Sequence, residues 1–132
     1  GEYTLTDDDK FRHFENSIGA ICDFNKKDDL YEVPYGVLVK KGFDNLITAG
    51  RSAAAEGNAW DVLRVIPPAI LTGQAAGEAC AIAIDDNSVI WDIDITKLQK
   101  NLEATGVDIH FDDKLIPEDL TKSGEEFDIG HI

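Results

Sequence analysis

Pro67-Pro68 opens an apolar run that continues to Ile84 with scarcely a bulky side chain on one of its sides. Pro68 restricts the residue before it, and a helix starting near Pro68 wastes no hydrogen bond at its first position. Arg64, Gln74 and Glu78 interrupt the wider stretch from Val62 to Ile84 and would each be costly in hydrocarbon. The spacing therefore predicts a buried helix of a soluble fold over Pro68–Ile84. Ala69, Gly73, Ala76, Gly77, Cys80 and Ile84 recur at intervals of three and four, so one stripe is nearly without bulk, while Gln74 and Glu78 mark a more polar side. Each glycine inside a helix forgoes about 1 kcal/mol relative to alanine. Close packing of this stripe against a sheet, another helix or a flat ligand would offset that cost.

The rest of the chain supplies partners for such a helix. Tyr31 and Val33 alternate with Glu32, Pro34 interrupts, and Val37 and Val39 follow, which predicts one or two short strands with Pro34 at an edge or bend. Asn45–Ala49, ending at Gly50, is apolar enough to predict a strand buried on both faces. Arg51 to Trp60 is a small-residue connection whose backbone could approach a ligand. Thr96–Ala104 forms a second helix, capped at its start by Asp94 or Thr96 and closed by Gly106 in a left-handed conformation. Near the N-terminus, Thr6 and Asp9 form a capping pattern ahead of Phe11, Phe14 and Ile18, which predicts a short helix. Val107–Phe111 is a last strand or an extended arm. Together these elements predict an α/β fold of short strands with the small-residue helix packed on them, spanning residues 1–111. From Asp112 to Ile132 an acidic tail with few anchors is expected to order poorly without a partner surface.

A length of 132 residues fits one domain with a genuine core. The formal net charge of -14 disfavours nucleic acid and anionic membranes as partners. Cys22 and Cys80 have neither metal-ligand nor redox spacing, so reduced thiols in a cytoplasmic protein are expected. Glu2 and Asp7 to Asp9 occupy the place where a signal peptide would need a basic and then an apolar run.

Familiar catalytic motifs are missing: there is no Gly-x-Gly-x-x-Gly, no Walker sequence, no His-Glu-x-x-His and no nucleophile elbow. Asp7 to Asp9 lack the alternation of a calcium loop, and Asp92 with Asp94 is only a pair, so no metal ligands are assigned. His13, His110 and His131 share no local spacing; each suits a surface or hydrogen-bonded histidine, with catalysis at His13 or His110 as the alternative. Cys80, between Ala79 and Ala81, suits packing. Arg51 follows the predicted strand and Gly50, where α/β folds commonly place ligand contacts, and an ion pair with a nearby acid is its rival role. Arg64, just before the double proline, could hold a substrate carboxylate or another protein group.

Four blocks in order carry a resemblance: Tyr31-Glu32-Val33-Pro34-Tyr35-Gly36, Asn45-Leu46-Ile47-Thr48-Ala49-Gly50-Arg51, Arg64-Val65-Ile66-Pro67 and Thr72-Gly73-Gln74-Ala75-Ala76-Gly77. Over about residues 1–110 the chain resembles the C-terminal portion of FAD-dependent oxidoreductases whose flavin domain is split along the sequence, a group broadly related to fumarate-reductase-like flavoproteins. The resemblance implies a partial FAD-binding, Rossmann-like domain. It implies that Gly50 and Arg51 lie where the returning flavin domain meets the cofactor. It also implies that Pro68, Thr72, Gly73, Gln74 and Ala75, in the first turns of the small-residue helix, face the isoalloxazine, with Arg64 in the approach as the catalytic candidate. Helix dipole and backbone amides would there favour the negative charge that develops on flavin reduction.

The family's dinucleotide fingerprint and adenosine-binding unit have no counterpart before Tyr31. The chain is thus expected to be a C-terminal segment of an oxidoreductase, its partners being the N-terminal FAD-binding portion of the same parent and a small-molecule substrate. The isolated chain is expected not to retain FAD, and its own enzymatic activity is left open. Two other readings stand beside this one: a stand-alone acidic binding module without cofactor chemistry, and a small hydrolase whose nucleophile and base are not visible.

Overall fold

The computed structural model describes residues 1–26 and 28–119. It is a mixed α/β arrangement of one antiparallel strand pair, β1 (Ser17–Cys22) and β2 (Leu30–Pro34), and three helices, α1 (Gly57–Leu63), α2 (Ile66–Asp85) and α3 (Ile95–Ala104). Ala20 pairs with Glu32, Ile21 with Tyr31 and Cys22 with Leu30, and an irregularity between Ser17 and Ala20 shifts the register. Both faces of β2 are covered: Tyr31, Glu32 and Val33 are all buried. One core holds the molecule together, with Leu5, Ile18, Tyr31, Val33, Leu38, Leu63, Ala79, Leu98 and Leu102 among its members.

Helix α2 lies on β1 and α3. It comes close to β1 at Gly19, where an added Cβ would stand 2.4 Å from Leu71 Cδ1 and 2.9 Å from Leu71 Cγ. A side chain at this position would have to push the end of Leu71 aside. The N-terminal segment is tied across the fold by its backbone, Leu5 donating to the Ala54 carbonyl at 3.0 Å and Glu56 donating to that of Leu5 at 2.9 Å. At the other end, Val107–Phe111 is neither a strand nor fully extended: it is an irregular arm that bends at Ile109 and His110. Asp108 O accepts from the Ala20 amide at 2.7 Å, and Ile109 O accepts from Ser17 Oγ at 2.6 Å.

Helix α3 matches its predicted span closely: Asp94 Oδ1 accepts from the Lys97 amide at 3.1 Å and Gly106 closes the end at φ 92°. Helix α2 begins two residues earlier than predicted, at Ile66. Four expectations are corrected. Residues 45–49 are not a strand: Leu46 is exposed, and the described chain places only the Leu38 carbonyl opposite them, accepting from Thr48 N at 2.9 Å. Apolar character alone does not make a strand where no neighbouring strand satisfies the backbone. The strand expected at Val37 and Val39 is replaced by a 3-10 turn over Tyr35–Val37, although Val37, Leu38 and Val39 are buried as anticipated. The helix expected from Asp7 onward is a single 3-10 turn, Asp7–Asp9, held by Asp9 Oδ2 accepting from the Thr6 amide at 3.0 Å. Phe11 at φ 60° turns the chain, and Ile18 enters the core from β1 instead.

The fourth correction concerns the glycines of α2. Gly73 and Gly77 face outward, and an added Cβ at either would meet nothing within 4 Å. The buried side is instead Pro68, Thr72, Ala75, Ala76, Ala79 and Ile82, so alanine and threonine, not glycine, set the close packing. Ile66, Ile70, Gly73, Gly77 and Ile84 fall on one outward stripe at helical spacing, with Ile66, Ile70 and Ile84 exposed.

The expected tail is described only as far as residue 119. Asp113–Leu115 forms a 3-10 turn whose preceding Asp112 accepts from the Lys114 amide at 2.9 Å. Residues 120–132 lie outside the described part. No helix among the described residues is long and apolar enough to cross a membrane.

Candidate functional site

A cleft of about 780 Å³ opens at the N-terminal end of α2. One wall is the edge of β1 and the turn after it, Ala20, Ile21, Cys22 and Phe24; the other is Val65, Ile66, Pro67, Pro68 and Leu71. Arg51 and Arg64 are the two charged residues in this otherwise apolar lining. In a chain of net charge -14 this pair of arginines, one of them ion-paired with Asp61, suits an anionic or electron-rich group.

Local structure fixes Arg64, and a contact with α2 fixes the turn that carries Arg51. Arg64 follows α1, and its Nε donates to Asp61 Oδ1 at 2.9 Å while its guanidinium lies 4.9 Å from the centroid of the Trp60 ring. Both partners come from the preceding helical turn, so the orientation of Arg64 follows from sequence-near contacts. Arg51 sits in a 3-10 turn, Gly50–Ser52, entered at Gly50 with φ 61°. Only glycine adopts that backbone at little cost. The Gly50 amide donates to Thr72 Oγ1 at 2.9 Å, and Thr72 Oγ1 donates to the Ala69 carbonyl at 3.1 Å. This chain of contacts docks the turn bearing Arg51 onto α2.

Of the residues singled out from sequence, Arg51, Arg64 and Pro68 line the cleft, and Gly50 and Thr72 hold one of its corners together from behind. Gly73 lies on the outward stripe below. Gln74 turns away, its Nε2 donating to Thr105 Oγ1 at 2.8 Å, and Ala75 is wholly buried in the core. Pro67 and Pro68 occupy the second and third positions of α2 and have no N–H, so this helix end offers its dipole with few amide donors.

The model of the family described as FAD dependent oxidoreductase matches residues 1–102. The chain belongs to the FAD-dependent oxidoreductase family. No curated protein matches it, and no solved structure does. In this member of the FAD-dependent oxidoreductases the match takes in both strands, all of α1 and α2, and most of α3, and so covers the whole cleft.

Outside the cleft, folding assembles a second group that sequence spacing did not reveal. Glu32, fully buried in β2, accepts at Oε1 from His13 Nδ1 at 2.5 Å and at Oε2 from the Phe14 amide at 2.7 Å, and its Oε1 lies 3.0 Å from His110 Nδ1. His13 Nε2 meets Asp113 Oδ1 at 2.5 Å. The Asp113 hydrogen bond first, and that of Glu32 second, push the His13 pKa above the ordinary imidazole value. In the sequence Glu32 merely alternates with Tyr31 and Val33. The only signal was an acid inside an apolar run, and that gives no hint of which histidines would find it.

Proposed function

We propose that this chain supplies the flavin-proximal part of an FAD-dependent oxidoreductase, completed by an N-terminal portion of the same parent that binds adenosine and pyrophosphate. The observation that carries this reading is the continuity of the two-arginine cleft with the exposed apolar stripe Ile66, Ile70, Gly73, Gly77 and Ile84. A helix face of this kind has no reason to stay in water, and glycine at its centre admits a flat ring or a neighbouring backbone to close range.

The cleft suits one face and edge of a flavin. Phe24, Val65, Ile66 and Leu71 offer apolar contact, and Arg51 places positive charge beside it. FAD, when bound, supplies hydride or electron transfer. In this reading Arg51, together with the positive end of the α2 dipole, favours negative charge at the adjoining edge. Arg64 receives a substrate carboxylate, with Asp61 and Trp60 fixing its fork. Gly50, Thr72 and the buried Ala75 position these groups from behind. The sequence holds no glycine fingerprint for a pyrophosphate, which is why the reading requires a second portion.

The test is purification of the full parent protein, with FAD content and visible spectrum compared for wild type, Gly73→Leu and Glu103→Leu. Glu103 is exposed on α3, away from the stripe. Bound FAD in the wild type, lost or spectrally shifted in Gly73→Leu and kept in Glu103→Leu, supports the reading. A parent that binds no flavin overturns it, as does a Gly73→Leu parent with unchanged flavin affinity and spectrum.

A further inference from the structure

We propose that His13, Glu32 and His110 bind a divalent transition-metal ion of the Zn²⁺ class, which staples the C-terminal arm to β2. Three separate parts of the chain converge here: His13 from the turn ahead of β1, Glu32 from the middle of β2 and His110 from the arm. One donor atom from each of the three lies within 4.8 Å of the other two, and His13 Nδ1 and His110 Nδ1 both stand beside Glu32 Oε1. A tetrahedral ion with bonds of about 2.0–2.1 Å needs its ligands roughly 3.3 Å apart. The His110–Glu32 separation of 3.0 Å is already close to that, and the His13–Glu32 separation of 2.5 Å needs to open by less than about 1 Å.

The surroundings fit ligation as well as the donors do. Metal-bound histidines characteristically give their other ring nitrogen to a carboxylate, which fixes tautomer and orientation. Asp113 Oδ1 stands at His13 Nε2 in that relationship. The Phe14 amide occupies Glu32 Oε2, leaving Oε1 as the donor that both imidazoles face. Stacking on Phe111, with ring centroids 4.3 Å apart and planes at 25°, further restrains His13, and the two histidine rings meet edge to face at 5.9 Å.

Two imidazoles and one carboxylate favour a borderline ion such as Zn²⁺ or Co²⁺ over Ca²⁺ or Mg²⁺, which prefer all-oxygen shells. Glu32 is fully buried whereas both histidine side chains are nearly half exposed, so three protein ligands leave the solvent side open for water. Nothing in this site uses the arginine cleft or the outward stripe of α2, so it stands whether or not the flavin reading does.

The 132-residue chain, stripped of metal with a chelator, is to be titrated with Zn²⁺ by calorimetry and with Co²⁺ by visible absorption. One ion per chain is expected, with micromolar or tighter affinity and the intense cobalt bands of a four- or five-coordinate site. His110→Ala should weaken binding at least tenfold, Asp113→Asn should weaken it about 10- to 100-fold through His13, and His131→Ala should leave it unchanged. Far-UV circular dichroism reports whether each variant is folded. If His110→Ala does not fold, histidine ring NMR of the wild-type chain decides. Zn²⁺ must then shift His13 and His110, and a shift confined to His131 overturns the proposal. It is equally overturned if the wild-type chain binds neither ion in the micromolar range, if a folded His110→Ala binds as tightly as wild type, or if His131→Ala abolishes binding.

Discussion

The backbone amide of Gly50 donates to Thr72 Oγ1 at 2.9 Å, joining the turn that carries Arg51 to the second turn of α2. Thr72 is fully buried, and its hydroxyl passes the bond on to the Ala69 carbonyl. Two residues far apart in sequence thereby set the distance between an arginine and a helix end.

Thr72→Val keeps the shape of the side chain but leaves the Gly50 amide without its acceptor. A stranded buried donor costs about 1–3 kcal/mol, and the part-buried Gly50 amide falls at the lower end, about 1 kcal/mol. Urea unfolding of the chain should show that loss, and Thr72→Ser should recover most of it. A Thr72→Val chain as stable as wild type would mean that the bond contributes nothing.

The outward glycines of α2 should respond in the opposite direction. Gly73→Ala and Gly77→Ala place a methyl where nothing stands within 4 Å, so the gain in helix propensity, about 1 kcal/mol each, is not offset by overpacking. Thermal unfolding of the isolated chain should move upward for each. A downward shift would show that this face is packed in solution.

Ser17 anchors the C-terminal arm. Its Oγ donates to the Ile109 carbonyl at 2.6 Å and accepts from the Gly19 amide at 3.2 Å, with the serine fully buried. Ser17→Ala should cost about 1–3 kcal/mol. Amide exchange should also quicken at Ala20, whose N–H is bonded to the neighbouring Asp108 carbonyl. Unchanged exchange there would detach the arm from Ser17.

Alkaline stability follows from two buried phenols. Burial, aided by the charges of Asp7 and Asp29, pushes Tyr31 up to about 12 from its ordinary 10.0, and burial raises Tyr35 as well. A folded pKa above the unfolded one means that the native state holds the proton more tightly. The stability this contributes is therefore complete below about pH 10 and declines as pH rises toward 12. Tyrosinate absorbance and circular dichroism should change together in that window. Ionisation of all three tyrosines near pH 10 with the fold intact would contradict the burial.

The sequence by itself determined the elements whose causes are local. Two prolines set where α2 can begin, Asp94 and Gly106 bound α3, and Asp61 and Trp60 lie close enough along the chain to orient Arg64. The order of the four blocks, Tyr31 to Gly77, pointed to the family. Tertiary structure decided what depends on a neighbour. Asn45–Ala49 had a strand's composition but has no strand beside it among the described residues, and Ile18 had a helical period but found β2. The α2 stripe containing Gly73 turned outward because a helix is rotated by whichever side packs best, and Thr72, Ala75 and Ala79 fitted against β1 and α3. His13, Glu32 and His110 show the same dependence most plainly. A buried carboxylate must find donors, and which ones reach it is settled only when the strand pair, the turn before it and the C-terminal arm close on one point.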